Sequence, residues 1–237
     1  MRCDYDETTL AARTKTEGIT PRQNVDINDI FFKTISQYLK DADSLLDIGT
    51  GNGFVLSEIV RRNPQLKLKL CGVDNSAEMV MLAKKNLMDL ANIEIADADY
   101  LPFGQKSFDV VTAKNVTRIN AEEAYRVLKP GGIFVFREYG PGKGLCEIAS
   151  LFPGRIIRQR EPQFYIDNFV KAGFSVVNFK TYEVIRHYDS PKDLVTIAKS
   201  FPFIENFSES DAKLIIRTCH NANVTSDPFI LICRKEK

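Results

Sequence analysis

Apolar and polar positions alternate in two rhythms along this chain, and the switches between the rhythms outline its architecture. Short runs rich in β-branched and other apolar residues occur at SLLDI (44 to 48), LKLCGVD (68 to 74), NIEIA (92 to 96), FDVVTA (108 to 113), IFVFREY (133 to 139) and FSVVNFKTYEV (174 to 184). The first five are nearly continuous in apolar residues, as strands covered on both faces should be. Between them, a three- and four-residue spacing predicts helices over 53 to 62, 76 to 90 and 121 to 128, with Ser76 as an N-cap and KPGG as a stop signal. Ahead of the first strand, Ile27, Ile30, Phe31, Ile35 and Leu39 recur at helical spacing over 26 to 39. Beyond the sixth, 191 to 199 and 209 to 219 read as helices, and PFILICRK (228 to 235) as a closing strand.

Strands alternating with helices build an α/β fold, a parallel sheet doubly wound with helices on both faces. The expected organisation is one domain over 1–237: an N-terminal lid and helix (1–40), a core (41–185), a helical insertion (186–227) and a final strand (228–237). At 237 residues and 44% hydrophobic composition the chain can bury a full core. The 32 Lys and Arg balance 31 Asp and Glu, so no global field draws the protein to nucleic acid or an anionic membrane. Five scattered cysteines without a CxxC pair argue against a disulfide framework or zinc site and for free thiols in a reducing cytoplasm; no metal is expected. No apolar run has signal-peptide character at the N-terminus or approaches the ~20 residues needed to span a bilayer.

The candidate chemistry starts at LLDIGTGNG (45 to 53), an apolar run ending in an acid and leading into three alternate glycines. In open α/β sheets the first strand-to-helix turn is the usual ligand contact, and glycines there let the backbone approach a ligand closely. A dinucleotide loop wants GxGxxG, but Phe54 follows Gly53, and no phosphate-binding Lys-Ser or Lys-Thr is present. Asp47 beside the turn would repel a pyrophosphate yet tolerate an ammonium group.

At these residues the sequence resembles the class I methyltransferases dependent on S-adenosylmethionine (SAM), whose first motif is an acid followed by GxGxG. GVDNSAEMVMLAKKN (72 to 86), ADADYLPF (96 to 103), SFDVVTAKNV (107 to 116) and RVLKPGGIFVFREYG (126 to 140) are similar to the four later motifs, in order and correctly spaced over roughly 40 to 185. The resemblance implies a seven-stranded, mostly parallel sheet whose last strand is antiparallel, with SAM as cofactor and S-adenosylhomocysteine as product. It implies that Asp47 and Gly49 receive the ammonium of SAM, with Thr50, Gly51 and Gly53 completing the loop. Asp74 would take the ribose, at the ~20-residue separation seen in nucleotide-binding sheets. Asn75, Met79, Asp97 and Ala98 would line the adenine site, and Asn115 the methionine end.

Methyl transfer needs alignment more than side-chain chemistry, and no catalytic residue stands out. Base or substrate-contact candidates are Glu138 and Tyr139 at the end of the fifth strand, His187 after the sixth, and Tyr5; Arg22 could meet the SAM carboxylate, and His220 reads as structural. In the insertion, Leu194, Ile197, Phe201, Phe203, Ile204 and Phe207 offer apolar surface to roof a pocket. The Asp/Asn-Pro-Pro-Tyr signature of nucleic-acid amino-methyltransferases is missing, TAKN standing in its place. The expected function is transfer of a methyl group to an O or N atom of a small molecule. An RNA methyltransferase, a catalytically inactive SAM-binding partner subunit and a nicotinamide oxidoreductase are the rivals. The oligomeric state is left open, with a homodimer among the options.

Overall fold

The computed structural model describes residues 19–116, 118–201 and 203–236. In chain order it contains β1 (Arg22–Gln23), α1 (Ile27–Gln37), β2 (Ser44–Ile48), α2 (Phe54–Arg62), β3 (Lys69–Asp74), α3 (Ala77–Leu87), β4 (Asn92–Ile95), β5 (Phe108–Lys114), α4 (Ala121–Val127), β6 (Leu128–Tyr139), α5 (Cys146–Ser150), α6 (Pro162–Lys171), β7 (Phe174–Thr181), β8 (Val184–His187), α7 (Pro191–Ser200), α8 (Glu209–Thr218), β9 (Asn223–Ser226) and β10 (Pro228–Lys235). They fall into two compact units.

The larger unit takes the described residues of Asn28–Glu138, Gln163–Lys180 and Phe229–Lys237. Its sheet has the order β4-β3-β2-β5-β6-β10-β7 and is mostly parallel with one antiparallel strand, the expected α/β arrangement. The chain starts in the middle at β2, runs through β3 to the β4 edge, and then crosses back to β5 on the other side of β2. The strand order therefore reverses between β2 and β5, which opens a crevice at their carboxyl ends. All five residues of β2 are buried, and Leu46, Val73, Val111, Phe134, Phe136, Phe169 and Phe229 belong to one apolar cluster. At the amino edge the Asp109 carboxylate accepts from the Asp43 and Ser44 N–H groups (3.1 Å each), the Ser44 hydroxyl (2.7 Å) and Lys129 Nζ (2.8 Å), which fixes where β2 begins.

The smaller unit takes the described residues of Met1–Ile27, Tyr139–Pro162 and Thr181–Pro228. β8 is the middle strand of an antiparallel sheet, flanked by β1 and β9. α7 and α8 each begin with a reciprocal cap, Ser190 with Asp193 and Ser208 with Asp211, which satisfies N–H groups a helix start otherwise leaves open. Leu194, Phe203 and Ile204, expected to roof a pocket, are buried in this unit's own core; Ile197 and Phe207 pack against it partly covered, and Phe201 is 46% exposed.

Among the departures from the pattern reading, three concern the larger sheet and its helices. The run 174 to 184 is not one strand: β7 ends at Thr181, the Tyr182 N–H donates to the Pro228 carbonyl (2.8 Å), and β8 joins the other sheet. A composition rich in β-formers throughout gives no sign of where one sheet stops. α6, which buries Tyr165 and Phe169, has no counterpart in the pattern between the fifth and sixth strands. KPGG does end a helix, yet it lies inside β6, where Gly131 at φ 81° and a register shift between Phe108 and Val110 absorb the irregularity.

Candidate functional site

The carboxyl ends of β2, β3 and β5 bring most of the expected residues together. Asp47 is the fourth residue of β2, in register with Gly72 of β3 and Thr112 of β5. Its side chain is 1% exposed, and Oδ1 accepts from the Thr112 hydroxyl at 2.7 Å while Oδ2 has no partner. Burial pushes its carboxyl up to about 7, against the Thr112 and Thr50 hydroxyls and the Lys114 charge; the Asp74 charge acts with burial. A buried carboxylate oxygen without a donor is costly unless something cationic arrives.

The loop that follows is shaped by its glycines. The N–H groups of Gly49 and Thr50 donate to the Val73 carbonyl at 2.8 and 2.9 Å, tying the turn to the end of β3. Gly53, at φ 85°, starts α2, and a Cβ there would lie 2.6 Å from Leu87 Cδ1. Gly51, at φ 55°, has nothing within 4 Å of where its Cβ would be, so the loop faces open space at that point. The Gly51 N–H donates to Asp74 Oδ2 (2.8 Å) and the Ser76 N–H to Oδ1 (3.0 Å), so Asp74 braces the glycine loop while each oxygen retains a lone pair.

Beside Asp74, Asn75 is exposed, whereas Met79 is 5% exposed and packs with the core of α3. Ser76 caps that helix as expected, its hydroxyl accepting from the Met79 N–H (3.2 Å). Asp97 is exposed and turns back on the Asp99 N–H (3.0 Å), and Ala98 is half-buried. Asn115, at the end of β5, sits at φ 53° with its Oδ1 buried and without a partner, a second unsatisfied acceptor at this edge.

The other candidates are less telling. Glu138 is buried at the end of β6, and His187 in β8 pairs through Nδ1 with the Asn223 side chain. Tyr139 is half-buried, with its hydroxyl accepting from Arg186 at 3.3 Å. Arg22 is exposed on β1, and His220 is exposed in the turn after α8. Tyr5 lies outside the described residues.

Two residues at this edge escape a reading of the sequence. Thr112 holds Asp47 across the strand boundary, and Lys114 projects over the exposed Phe54 ring, 5.1 Å from its centroid, while lending positive charge to Asp47. Aligning the two strands by their apolar runs would have placed Thr112 beside Asp47.

The arrangement can receive a cation at Asp47, a carbonyl-seeking donor at Asn115 and hydroxyls at Asp74. Residues 46–136 match the family model described as a methyltransferase domain. That match supports the class I methyltransferase family. It is 37% identical over 106 residues to a ubiquinone/menaquinone biosynthesis C-methyltransferase UbiE from Geotalea daltonii, covering 40% of this chain and 45% of that protein. Against a malonyl-[acyl-carrier protein] O-methyltransferase from a Marinomonas species it is 28% identical over 171 residues, 66% of this chain and 62% of the other. The chain thus spans less than two thirds of the length of these two relatives. In fold it is similar to the YcgJ protein of Bacillus subtilis, with a TM-score of 0.65 and 16% identity over 88% of this chain and 99% of that one.

SAM is the methyl donor of this family. The residues at the carboxyl edge fit it: an unpartnered buried acid suits an ammonium, and the open face of Gly51 leaves room for a ligand against the backbone. Among the described residues no helix is long and apolar enough to cross a membrane, and no cluster of His, Cys, Asp and Glu is suited to a metal ion.

Proposed function

We propose that this protein transfers a methyl group from SAM to a small organic acceptor. The observation that carries the reading is the buried, unpartnered Oδ2 of Asp47 beside three glycines of positive φ, at the point where the strand order reverses. Bound there, SAM would supply a methyl carbon on a sulfonium leaving group. Asp47 and the Gly49 carbonyl would accept hydrogen bonds from its ammonium, with Thr50 and Gly53 fixing the turn. Asp74 would accept from the ribose hydroxyls while keeping Gly51 in place. Asp97 and the Ala98 N–H would meet adenine, with Asn75 and Met79 alongside, and Asn115 Oδ1 would orient the methionine end.

This edge works by holding and excluding. Thr112 keeps Asp47 aimed, and the braced loop fixes the donor so that alignment of the acceptor becomes the main barrier to reaction. No general base is assigned: Glu138, Tyr139 and His187 remain candidates whose need depends on the acceptor atom. The expected preference for O or N draws support from the relative named an O-methyltransferase, whereas the relatives named C-methyltransferases favour carbon. We therefore propose the small-molecule class and leave the atom to experiment. The unpaired cysteines Cys71, Cys146, Cys219 and Cys233 support a reducing, cytoplasmic setting.

An RNA acceptor gains little from the charge distribution. A groove of about 440 Å³ in the sheet unit is lined by Lys33, Lys40 and Arg62, but it lies at the C-terminal ends of α1 and α2, away from the glycine loop that starts α2. Asp29 and Glu58 already engage two of its cations. The test is incubation with SAM labelled at the methyl group and pools of phenols, quinols, carboxylic acids, amines and, separately, RNA. Label transferred to a small-molecule pool supports the reading; transfer only to RNA, or none while SAM binds, would replace it with the RNA or inactive-subunit alternative.

A further inference from the structure

The smaller unit contains a second polar site, centred on Arg186 rather than on the glycine loop. Along β8 the residues alternate between faces, so Val184 and Arg186 point the same way, and Tyr188 follows just past the strand's end. Val184 and Tyr188 are 0% and 4% exposed, and Tyr188 belongs to the unit's apolar core. Arg186 therefore stands in an inward-facing row where the pattern calls for an apolar residue. Its neighbours across β9 are Val224, directly opposite, and Ser226, opposite Val184. Ser226 and Val224 share that face, which puts Ser226 diagonally beside Arg186 at roughly 7 Å between Cβ atoms.

Both polar side chains on this face lack partners at a buried atom. Arg186 Nε is buried with no hydrogen bond, and Ser226, 0% exposed, has an unsatisfied Oγ. The guanidinium does touch two phenols: Tyr139, whose hydroxyl accepts at 3.3 Å and whose ring centroid lies 5.8 Å away, and Tyr188. No described carboxylate pairs with Arg186. The acids of neighbouring segments are engaged elsewhere: Glu147 accepts from the Thr225 N–H (2.6 Å) and hydroxyl (2.7 Å), and Asp227 from the Gly142 and Gly144 N–H groups (2.7 and 2.8 Å). A cation held inside an apolar layer without a counter-ion is unfavourable, and an adjacent unsatisfied hydroxyl adds to the cost.

We propose that this face of the β1-β8-β9 sheet is a receptor for an oxyanion, the carboxylate or phosphate of a small organic molecule, held by Arg186 and Ser226 with the Tyr139 and Tyr188 hydroxyls beside them. Arg186 is only partly covered, which gives such a group a way in, while Ser226 is fully enclosed and limits the guest to a head group. A planar guanidinium matches either anion through paired N–H donors. All four residues belong to the smaller unit, and the proposal stands whether or not the methyl-transfer reading holds.

The experiment titrates the full chain with sodium phosphate and, separately, sodium acetate at ionic strength held constant with sodium chloride, following the melting temperature and heat of binding. A saturable response to either anion is expected: phosphate alone assigns a phosphorylated ligand, acetate alone a carboxylate, and both an undiscriminating oxyanion site. Arg186→Met should lower the affinity by at least about tenfold, as loss of charge-assisted hydrogen bonds requires. It should melt, without ligand, no lower than the wild type, because the buried cation is gone. Ser226→Ala should weaken binding while retaining the fold, shown by an unchanged circular dichroism spectrum. No saturable response in wild-type protein, or variants that respond as the wild type does, would overturn the proposal.

Discussion

Replacing Asp47 by asparagine tests the electrostatics of the site through stability alone. Burial raises the carboxyl from 3.8 to about 7. The folded protein therefore binds this proton more tightly than the unfolded chain, so the associated stability is fully present below the unfolded value and is lost as pH rises towards 7. At about 1.36 kcal/mol for each tenfold gain in proton affinity, that rise makes the loss about 4 kcal/mol. The amide introduced by Asp47→Asn carries no charge at any pH and still accepts from Thr112. It places an NH₂ where Oδ2 lacked a partner, a penalty of about 1–3 kcal/mol independent of pH. All other titrating groups are common to both proteins. Urea unfolding of ligand-free wild type and Asp47→Asn from pH 4 to pH 8 should thus show a stability difference that moves in favour of the variant by about 3–4 kcal/mol across this window. The same variant should lose most of its affinity for SAM, whose ammonium no longer meets an anion. Stability curves that run parallel over the whole range would refute the buried, ligand-seeking carboxylate.

Other residues are open to direct checks. Asp74→Ala removes the acceptor of the Gly51 and Ser76 N–H groups and should weaken SAM binding by about 1–3 kcal/mol in calorimetry, with unaltered affinity removing Asp74 from the site. Gly53→Ala forces a side chain onto a residue at φ 85° and against Leu87, so thermal unfolding should report a loss of about 1–2 kcal/mol; an unchanged midpoint would mean the loop relaxes freely. Phe136→Ala empties a ring site bounded by Tyr165, Phe169 and Phe229 and should cost about 3–5 kcal/mol in urea unfolding, a near-neutral result contradicting a close-packed cluster.

The parallel sheet was legible because strands covered on both faces must be almost wholly apolar, and SLLDI and IFVFREY are. The glycine turn was legible because GTGNG follows such a strand, and an acid ahead of it has a physical reason to be there. What escaped depended on partners distant in sequence. The separation of β7 from β8 turns on a contact between Tyr182 and Pro228, far apart along the chain, which no local pattern reveals. Arg186 in VIRHY looks like an ordinary charged strand residue until the pairing with β9 shows that its face is the buried one. Likewise, the apolar residues of the insertion promise a pocket roof, and only the packing of α7 and α8 shows Leu194, Phe203 and Ile204 committed to their own core.

The most direct measurement is titration calorimetry of the ligand-free wild-type chain with SAM and with S-adenosylhomocysteine. Micromolar binding of both at one site per chain, weakened by Asp47→Asn and Asp74→Ala, is the expected result. Absence of binding by either, in protein shown to be folded, would contradict a SAM site at the carboxyl edge of β2.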